Sequence, residues 1–254
     1  DASGPDGAQA ALNELLQVFA QQTPKQGHVD FVGAGPGDPT LLTHKARLLL
    51  DEADVVLYDR LVDPRILELA RREALVIEVG KTGFGPSMAQ NEINQLIIDH
   101  VGRGVQVVRL KSGDPSVFGR LDEELEAIAA HDISHSIVPG ITAASAAAAS
   151  LGRSLTQRDR NSGVRLITGY DMAGFADQDW RSMAAPDTVV AIYMGKKAAR
   201  FIQGRLMMHG ADAETPITVV ENVSRADQRT ISTQLKHLPQ AVGNLDGPAV
   251  LLYG

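Results

Sequence analysis

Cysteine is absent from all 254 residues. Disulfides and thiolate metal sites are thereby excluded, and a reducing, cytoplasmic setting is the expectation. Positive charge is in short supply. Lys and Arg number 24 against 31 Asp and Glu, a net charge of −7. That balance argues against a general nucleic-acid surface. An anionic ligand would need arginines focused locally. Long apolar runs are also missing, so no membrane span is expected. The N-terminus shows no basic segment followed by an apolar one, so no secretory leader is expected either. The seven histidines never pair at metal-ligand spacing, so no metal is expected. Tryptophan occurs once, at Trp180. There are no internal repeats, and the only low-complexity tract is an alanine run.

What is present suits a globular α/β protein. Hydrophobic residues make up 44% and charged ones 22%, near the globular average. The length fits one large or two moderate domains.

The chain is organised around Val29–Thr40, VDFVGAGPGDPT. Val29, Phe31 and Val32 form a short strand. Gly33, Gly35 and Gly37 alternate through a turn, where glycine tolerates φ > 0 and lets a ligand touch backbone. Asp38 suits an N-cap and Pro39 the first helical position. A helix is expected on through Leu41, Leu42, Lys45, Leu48 and Leu49. A strand feeding a glycine turn and a helix is where open α/β sheets bind small molecules. A dinucleotide fingerprint is one reading, and Asp59 stands about where its acidic residue should. Against it, Asp38 replaces the third small residue, and Pro36 and Pro39 offer no N–H to a pyrophosphate. A plain glycine turn is the other alternative.

The same arrangement repeats. Ala53–Tyr58 is a strand ending in Asp59-Arg60. Pro64–Arg72 reads as a helix and Leu75–Val79 as the third strand, followed by Gly80-Lys81-Thr82-Gly83. Ala89–His100 is a helix. Val105–Leu110 is the fourth strand, followed by Lys111-Ser112-Gly113-Asp114-Pro115. A helix after Arg120 carries Glu123, Leu125 and Ile128, and His135–Val138 is another strand. This alternation predicts a mostly parallel sheet with right-handed crossovers and a ligand edge at the strand ends. Ile141–Ser150, ITAASAAAAS, reads as a helix with a small face, suited either to close backbone approach or simply to tight packing. Arg153, Arg158, Arg160 and Arg165 then cluster around Leu155-Thr156-Gln157. Guanidinium at that density suits carboxylates or phosphates. Beyond it, Val164–Thr168, Thr188–Tyr193, Pro216–Val220, Arg229–Thr233 and Ala249–Tyr253 read as strands, with one long helix at Lys196–Met208. Strands without a full helix between them predict a mixed sheet. Upstream, Asp1–Gly7 reads as a tail, residues 8–22 as an amphipathic helix and Thr23–Gly27 as a linker. The expected division is 1–27 for this segment, then domains at 28–139 and 140–254.

Taken together, GAGPGDP (33–39), YDRL (58–61), GKTG (80–83), SGDPSVFGR (112–120), GITAAS (140–145) and LTQRD (155–159) resemble the tetrapyrrole methylases. Within that family the pattern is most similar to members that methylate uroporphyrinogen III. The resemblance runs in order over residues 28–254. The dehydrogenase–ferrochelatase module of bifunctional members is not among these residues. The resemblance implies two α/β domains, the first sheet mostly parallel and the second mixed, with S-adenosyl-L-methionine in the cleft between them. It implies two successive methyl transfers to uroporphyrinogen III, giving precorrin-2 on siroheme, cobalamin or heme d1 routes. S-adenosyl-L-homocysteine is the implied product, and a homodimer the implied assembly. Carried over by position, Pro36, Ser112, Gly113, Asp114, Val117, Thr142, Ala143 and Met194 line the cofactor site, with Val223, Pro248 and Ala249 closing it. Valine at 223 stands where the family usually has glycine. Ser112 and Ser116 depart from the family's GGDPFVFGR, and Gln157 from its LTHRD, so residue 157 cannot titrate as a histidine would.

The implied chemistry assigns roles. A methylated, cationic ring must lose a proton, and Asp59 is the best-placed base. Lys81 is the candidate proton donor. Arg120 and Arg158 are the candidate clamps for substrate carboxylates. Glu123, one turn from Arg120, either orients that arginine or accepts a pyrrole N–H, or is a plain helix contact. Three other readings remain: a different precorrin methyltransferase, an NAD(P)-dependent oxidoreductase using GAGPG, and a non-catalytic tetrapyrrole-binding protein.

Overall fold

The structure is a computed structural model and describes residues 9, 26–80, 88–161, 163–171 and 174–254. The expected helix at 8–22 lies outside the described residues except for Gln9. Lys81 and the rest of its loop through Ser87 lie outside them as well.

Five short strands form the first sheet: β1 (His28–Gly33), β2 (Val55–Tyr58), β3 (Leu75–Glu78), β4 (Gln106–Lys111) and β5 (His135–Val138). Their order is β3-β2-β4-β1-β5. Every pairing is parallel, so all five carboxyl ends point to one edge. Side chains alternate between two covered faces. Val29, Phe31, Val55, Leu57 and Val107 pack with Ile93, Ile97 and Val101 of α3 (Gln90–Val101) and Leu121 and Ile128 of α4 (Leu121–Ala129). Val32, Val56, Val108 and Leu110 pack on the other face with Ala46 and Leu50 of α1 (His44–Glu52) and Ile66 of α2 (Pro64–Leu67). Burial on both faces is why the central strands β1, β2 and β4 are rich in apolar residues, while the edge strands β3 and β5 are largely exposed.

The second sheet is mixed, in the order β11-β10-β12-β9-β6. It contains β6 (Val164–Thr168), β9 (Val189–Tyr193), β10 (Pro216–Glu221), β11 (Arg229–Gln234) and β12 (Ala249–Tyr253). Only the β6–β9 pairing is parallel. Helix α7 (Gly195–Met208) covers one face through Ala198, Ala199, Ile202 and Leu206. The alanine helix α5 (Ala143–Ser150) covers the other, with Ala144, Ala146 and Ala147 against Ala191, Val220 and Val250. The small face of the alanine run thus serves tight helix–sheet packing.

The fold differs from the sequence expectation in two helices that come out shorter and in several short elements that were not foreseen. The helix expected from Pro39 through Leu49 is broken. Asp38 caps only a 3₁₀ turn, Pro39–Leu41, and Leu42 is extended. Thr43 then caps α1, its side chain accepting from the Ala46 N–H at 3.1 Å. Two competent caps in one stretch divide it into two starts. The helix expected over Pro64–Arg72 ends at Leu67. The chain continues in tight turns, with Leu69 and Ala70 donating to Ile66 and Leu67, and Arg71 pairs with Asp54. Finally, a small hairpin of β7 (Tyr170–Asp171) and β8 (Gly174–Phe175), helix α6 (Trp180–Met183) and helix α8 (Leu238–Val242) escaped the sequence reading. Each is too short to show a period. Among the described residues no helix is long and apolar enough to cross a membrane.

Candidate active site

The loops at the carboxyl edge of the first sheet touch backbone to backbone. Gly35 and Gly113 exchange hydrogen bonds, 3.0 Å from the Gly35 N–H and 2.8 Å from the Gly113 N–H. Both have positive φ, 66° and 71°, which glycine adopts without a Cβ penalty. Gly140 is wedged against them: a Cβ there would stand 2.1 Å from the Gly113 carbonyl and 2.9 Å from the Gly33 Cα. Asp114 ties the group together. Its Oδ2 accepts from the Gly140 N–H at 3.0 Å and its Oδ1 from the Ser116 N–H at 2.8 Å. One platform therefore joins the loops after β1, β4 and β5.

The second sheet closes over this platform. Tyr193, at the end of β9, bonds through its hydroxyl to Thr142 Oγ1 at 2.6 Å and to the Ala144 N–H at 3.1 Å. Its ring lies 5.1 Å from that of Phe118. Next to it Met194 takes a left-handed conformation, φ 51°, with 51% of its surface exposed. From the loop after β10, Ser224 Oγ accepts from the Asp38 N–H at 3.0 Å, and Arg225 donates to the Leu61 carbonyl. Val223 is buried among α5 and sheet side chains. It has no positive φ, unlike Asn222 and Ser224 beside it. Valine in place of glycine is therefore accommodated. The Asn222 N–H donates to the Pro248 carbonyl at 2.9 Å. Behind that loop, Lys196 Nζ donates to the carbonyls of Leu245 and Gly247 at 2.7 and 2.9 Å.

These bonds also count against a dinucleotide in the first turn. In the first turn the N–H groups of Ala34, Gly35 and Asp38 all donate to protein acceptors, and Pro36 and Pro39 have none. A pyrophosphate needs several free N–H donors at a helix start. Here the turn leads into a 3₁₀ turn of three residues instead.

Asp59 follows β2, its N–H donating to the Leu110 carbonyl at 3.2 Å. Its Oδ1 lies 2.5 Å from Arg109 Nη2. Arg109 is 2% exposed and also reaches Glu124, whose side chain is fully buried and in turn accepts from Lys111. Burial, then the neighbouring Arg109 guanidinium, pushes the Lys111 ammonium below its ordinary value. Arg120 and Glu123 form a two-pronged pair, 2.6 Å on each prong. The guanidinium holds the Glu123 carboxyl below the usual carboxylate range. Both Glu123 oxygens are thereby engaged, which suits orienting Arg120. Arg158 is exposed, in a turn fixed by Asn161, which accepts from the Gln157 N–H at 2.9 Å.

Pro36, Gly113, Asp114, Thr142, Ala143, Met194, Val223 and Pro248 thus fall on contacting loops of the two sheets. Ser112 and Val117 flank the same platform and Ala249 opens β12. Among the described residues no hydrogen bond or ion pair joins Arg158 to the other candidates. Tyr193, Ser224, Arg225, Arg109, Lys111 and Glu124 were missed from sequence. Arg109 had a visible signal, a charge inside the apolar strand VVRLK. The others sit among ordinary-looking neighbours.

Known proteins match this arrangement. The family model for tetrapyrrole (corrin/porphyrin) methylases matches residues 28–239. A siroheme synthase of Pseudoalteromonas translucida is 42% identical over 97% of this chain and 52% of its own length. The chain spans about half the length of the curated relatives it matches. A solved uroporphyrin-III C-methyl transferase from Thermus thermophilus, complexed with S-adenosyl homocysteine, is 37% identical. It superposes with a TM-score of 0.78 over 90% of this chain and 97% of its own. A cobalt precorrin-4 methyltransferase of cobalamin biosynthesis is 27% identical, with a TM-score of 0.80 over 89% and 94%. With most of its length matched in both sequence and fold, the chain belongs to the tetrapyrrole (corrin/porphyrin) methylases.

Proposed function

We propose that the protein is an S-adenosyl-L-methionine-dependent C-methyltransferase that methylates uroporphyrinogen III twice to give precorrin-2. The observation that carries the reading is the platform of Gly35, Gly113, Asp114 and Gly140, with Asp59 beside it and the Tyr193–Met194 loop above. The domains are taken as 28–139 and 140–254. In support, β5 ends at Val138 and α5 packs on the second sheet.

The site fits a cationic sulfonium with a neutral sugar better than a phosphate. It offers backbone and the Asp114 carboxylate, and the arginines that border its first turn, Arg65 and Arg225, donate to Asp63 and to the Leu61 carbonyl. Pro36, Ser112, Gly113, Asp114, Val117, Thr142, Ala143, Met194, Val223, Pro248 and Ala249 would hold the cofactor. When bound, it would supply an electrophilic methyl group to an electron-rich ring carbon. The protein's own part is positioning, which removes much of the entropic barrier, and proton handling. Asp59 would take up the proton that the methylated ring releases. Lys81 would return one where a donor is needed. Arg120, oriented by Glu123, and Arg158 would grip the substrate carboxylates bidentately. A homodimer in the cytoplasm belongs to the same reading. In its support, exposed Tyr170 and Phe175 stand in a ring ladder with Phe201, offering apolar surface to a second copy.

Calorimetry with S-adenosyl-L-homocysteine and with NADP tests the reading. It requires saturable binding of the first and none of the second. The reverse result would hand the site to an oxidoreductase.

A further inference from the structure

We propose that Arg109 is a positioning residue for Asp59, seated by Glu124 and Lys111 inside the first domain. The inference rests on the reading of Asp59 as the group that handles the proton. Arg109 stands on the face of β4 covered by α3 and α4, where an apolar residue is expected. Its guanidinium is engaged in every direction. Nε donates to Glu124 Oε1 at 3.0 Å. Nη1 lies 3.4 Å from the Leu57 carbonyl and 3.3 Å from its neighbour Leu110's. Nη2 is left for Asp59 Oδ1, at 2.5 Å. A guanidinium tied at once to β2, β4 and α4 cannot follow a moving carboxylate. The carboxylate must therefore take its place from the guanidinium. Asp59 Oδ2 accepts no hydrogen bond among the described residues, and the side chain keeps 32% of its surface exposed. One oxygen is anchored and the other is presented.

The seat is costly unless it serves a purpose. A buried ionic cluster is often no more stable than apolar residues of equal volume. Here two cations, Arg109 and Lys111, face two carboxylates, Glu124 and Asp59. Glu124 is saturated by Arg109, by Lys111 Nζ at 2.8 Å and by Gln90 Nε2 at 3.3 Å. Lys111 lets Glu124 hold Arg109 without leaving the cluster out of charge balance. The cluster also lies under the platform. A Cβ on Gly119 would meet Lys111 Cε at 3.1 Å and the Pro115 carbonyl at 2.4 Å. The loop that carries Ser112 to Val117 thus closes directly over the Lys111 stem.

A double-mutant cycle separates positioning from plain support. The variants are Arg109→Lys, Asp59→Asn and the pair, assayed for methyl transfer to uroporphyrinogen III. Lysine keeps the charge and loses the fork. Arg109→Lys is expected to lower kcat about 10–100-fold, the worth of one charged hydrogen bond. KM and S-adenosyl-L-homocysteine affinity should stay unchanged, and the acid limb of the kcat profile should move. In the Asp59→Asn background the same change should cost less than about threefold, because nothing is left to aim. Equal losses in both backgrounds, or an unmoved pH limb, would overturn the positioning role. If Arg109→Lys does not fold, the same cycle with Glu124→Gln decides by the same criterion, since it loosens the seat while keeping an acceptor. Wild-type protein that transfers no methyl group would instead overturn the functional reading itself.

Discussion

Asp59, Arg120 and Arg158 are where the account can be tested one side chain at a time. Asp59→Asn should slow methyl transfer by about 10²–10⁴-fold, the usual worth of a general base, with S-adenosyl-L-homocysteine affinity intact by calorimetry. Full turnover would remove its proposed role. Arg120→Ala and Arg158→Ala should each weaken substrate about 10–100-fold, one charged hydrogen bond apiece. Cofactor-product affinity should again be unchanged. Equal losses in both assays would mean misfolding or a cofactor role. Asp63 gives a pH prediction. Its hydrogen bond from Arg65 holds its carboxyl below the usual range, against a smaller opposing effect of burial. The folded pKa lies below the unfolded one, so the stabilisation is complete above about pH 4 and is lost as pH falls through the folded value. Asp63→Asn keeps the cap on the Arg65 N–H. It should lower stability at pH 7 by about 1–2 kcal/mol, with the gap in melting curves closing toward pH 3. At this scale the sequence showed where Asp59 lies, directly after the second strand at the sheet's carboxyl edge. Arg109, Lys111 and Glu124 were not, because only the packing of α4 onto β4 brings them together.

At the scale of elements, the platform depends on three glycine backbones in van der Waals contact. A methyl group on Gly140 would collide with the Gly113 carbonyl, a backbone atom that cannot step aside alone. Gly140→Ala should therefore cost about 1–3 kcal/mol as overpacking and weaken S-adenosyl-L-homocysteine binding as the loops separate. Gly204→Ala on α7 is the control. A Cβ there meets nothing within 4 Å, so helix stability should rise slightly. Unchanged cofactor binding in Gly140→Ala would show that the contact does not shape the site. The central strands were readable because buried strands are apolar runs, as in β1, β2 and β9, and the turns after many strands are marked by glycine and proline. Helix ends were less so. Asp38 and Thr43 are both good caps, and only the fold shows that the chain uses each in turn. Helices α6 and α8, at four and five residues, are shorter than the period needed to reveal them.

For the whole molecule, two sheets of different construction meet through a few contacts: Asp38 with Ser224, Leu61 with Arg225 and the ring of Phe118 with that of Tyr193. The sequence foretold the parallel first sheet and the mixed second one. It did not foretell these contacts, because each joins residues far apart in the chain, up to 186 positions in the case of Asp38 and Ser224. A net charge of −7 repels an acidic tetrapyrrole at long range, so substrate capture should depend on local arginines more than on the overall field. The central claim is the transfer of methyl groups to a tetrapyrrole carbon. Its most direct test is incubation with isotopically methyl-labelled S-adenosyl-L-methionine and reduced uroporphyrinogen III, followed by mass analysis of the product. The expected product is a tetrapyrrole that gains two labelled methyl groups, with S-adenosyl-L-homocysteine formed in step. Unlabelled tetrapyrrole recovered alongside intact S-adenosyl-L-methionine would contradict it.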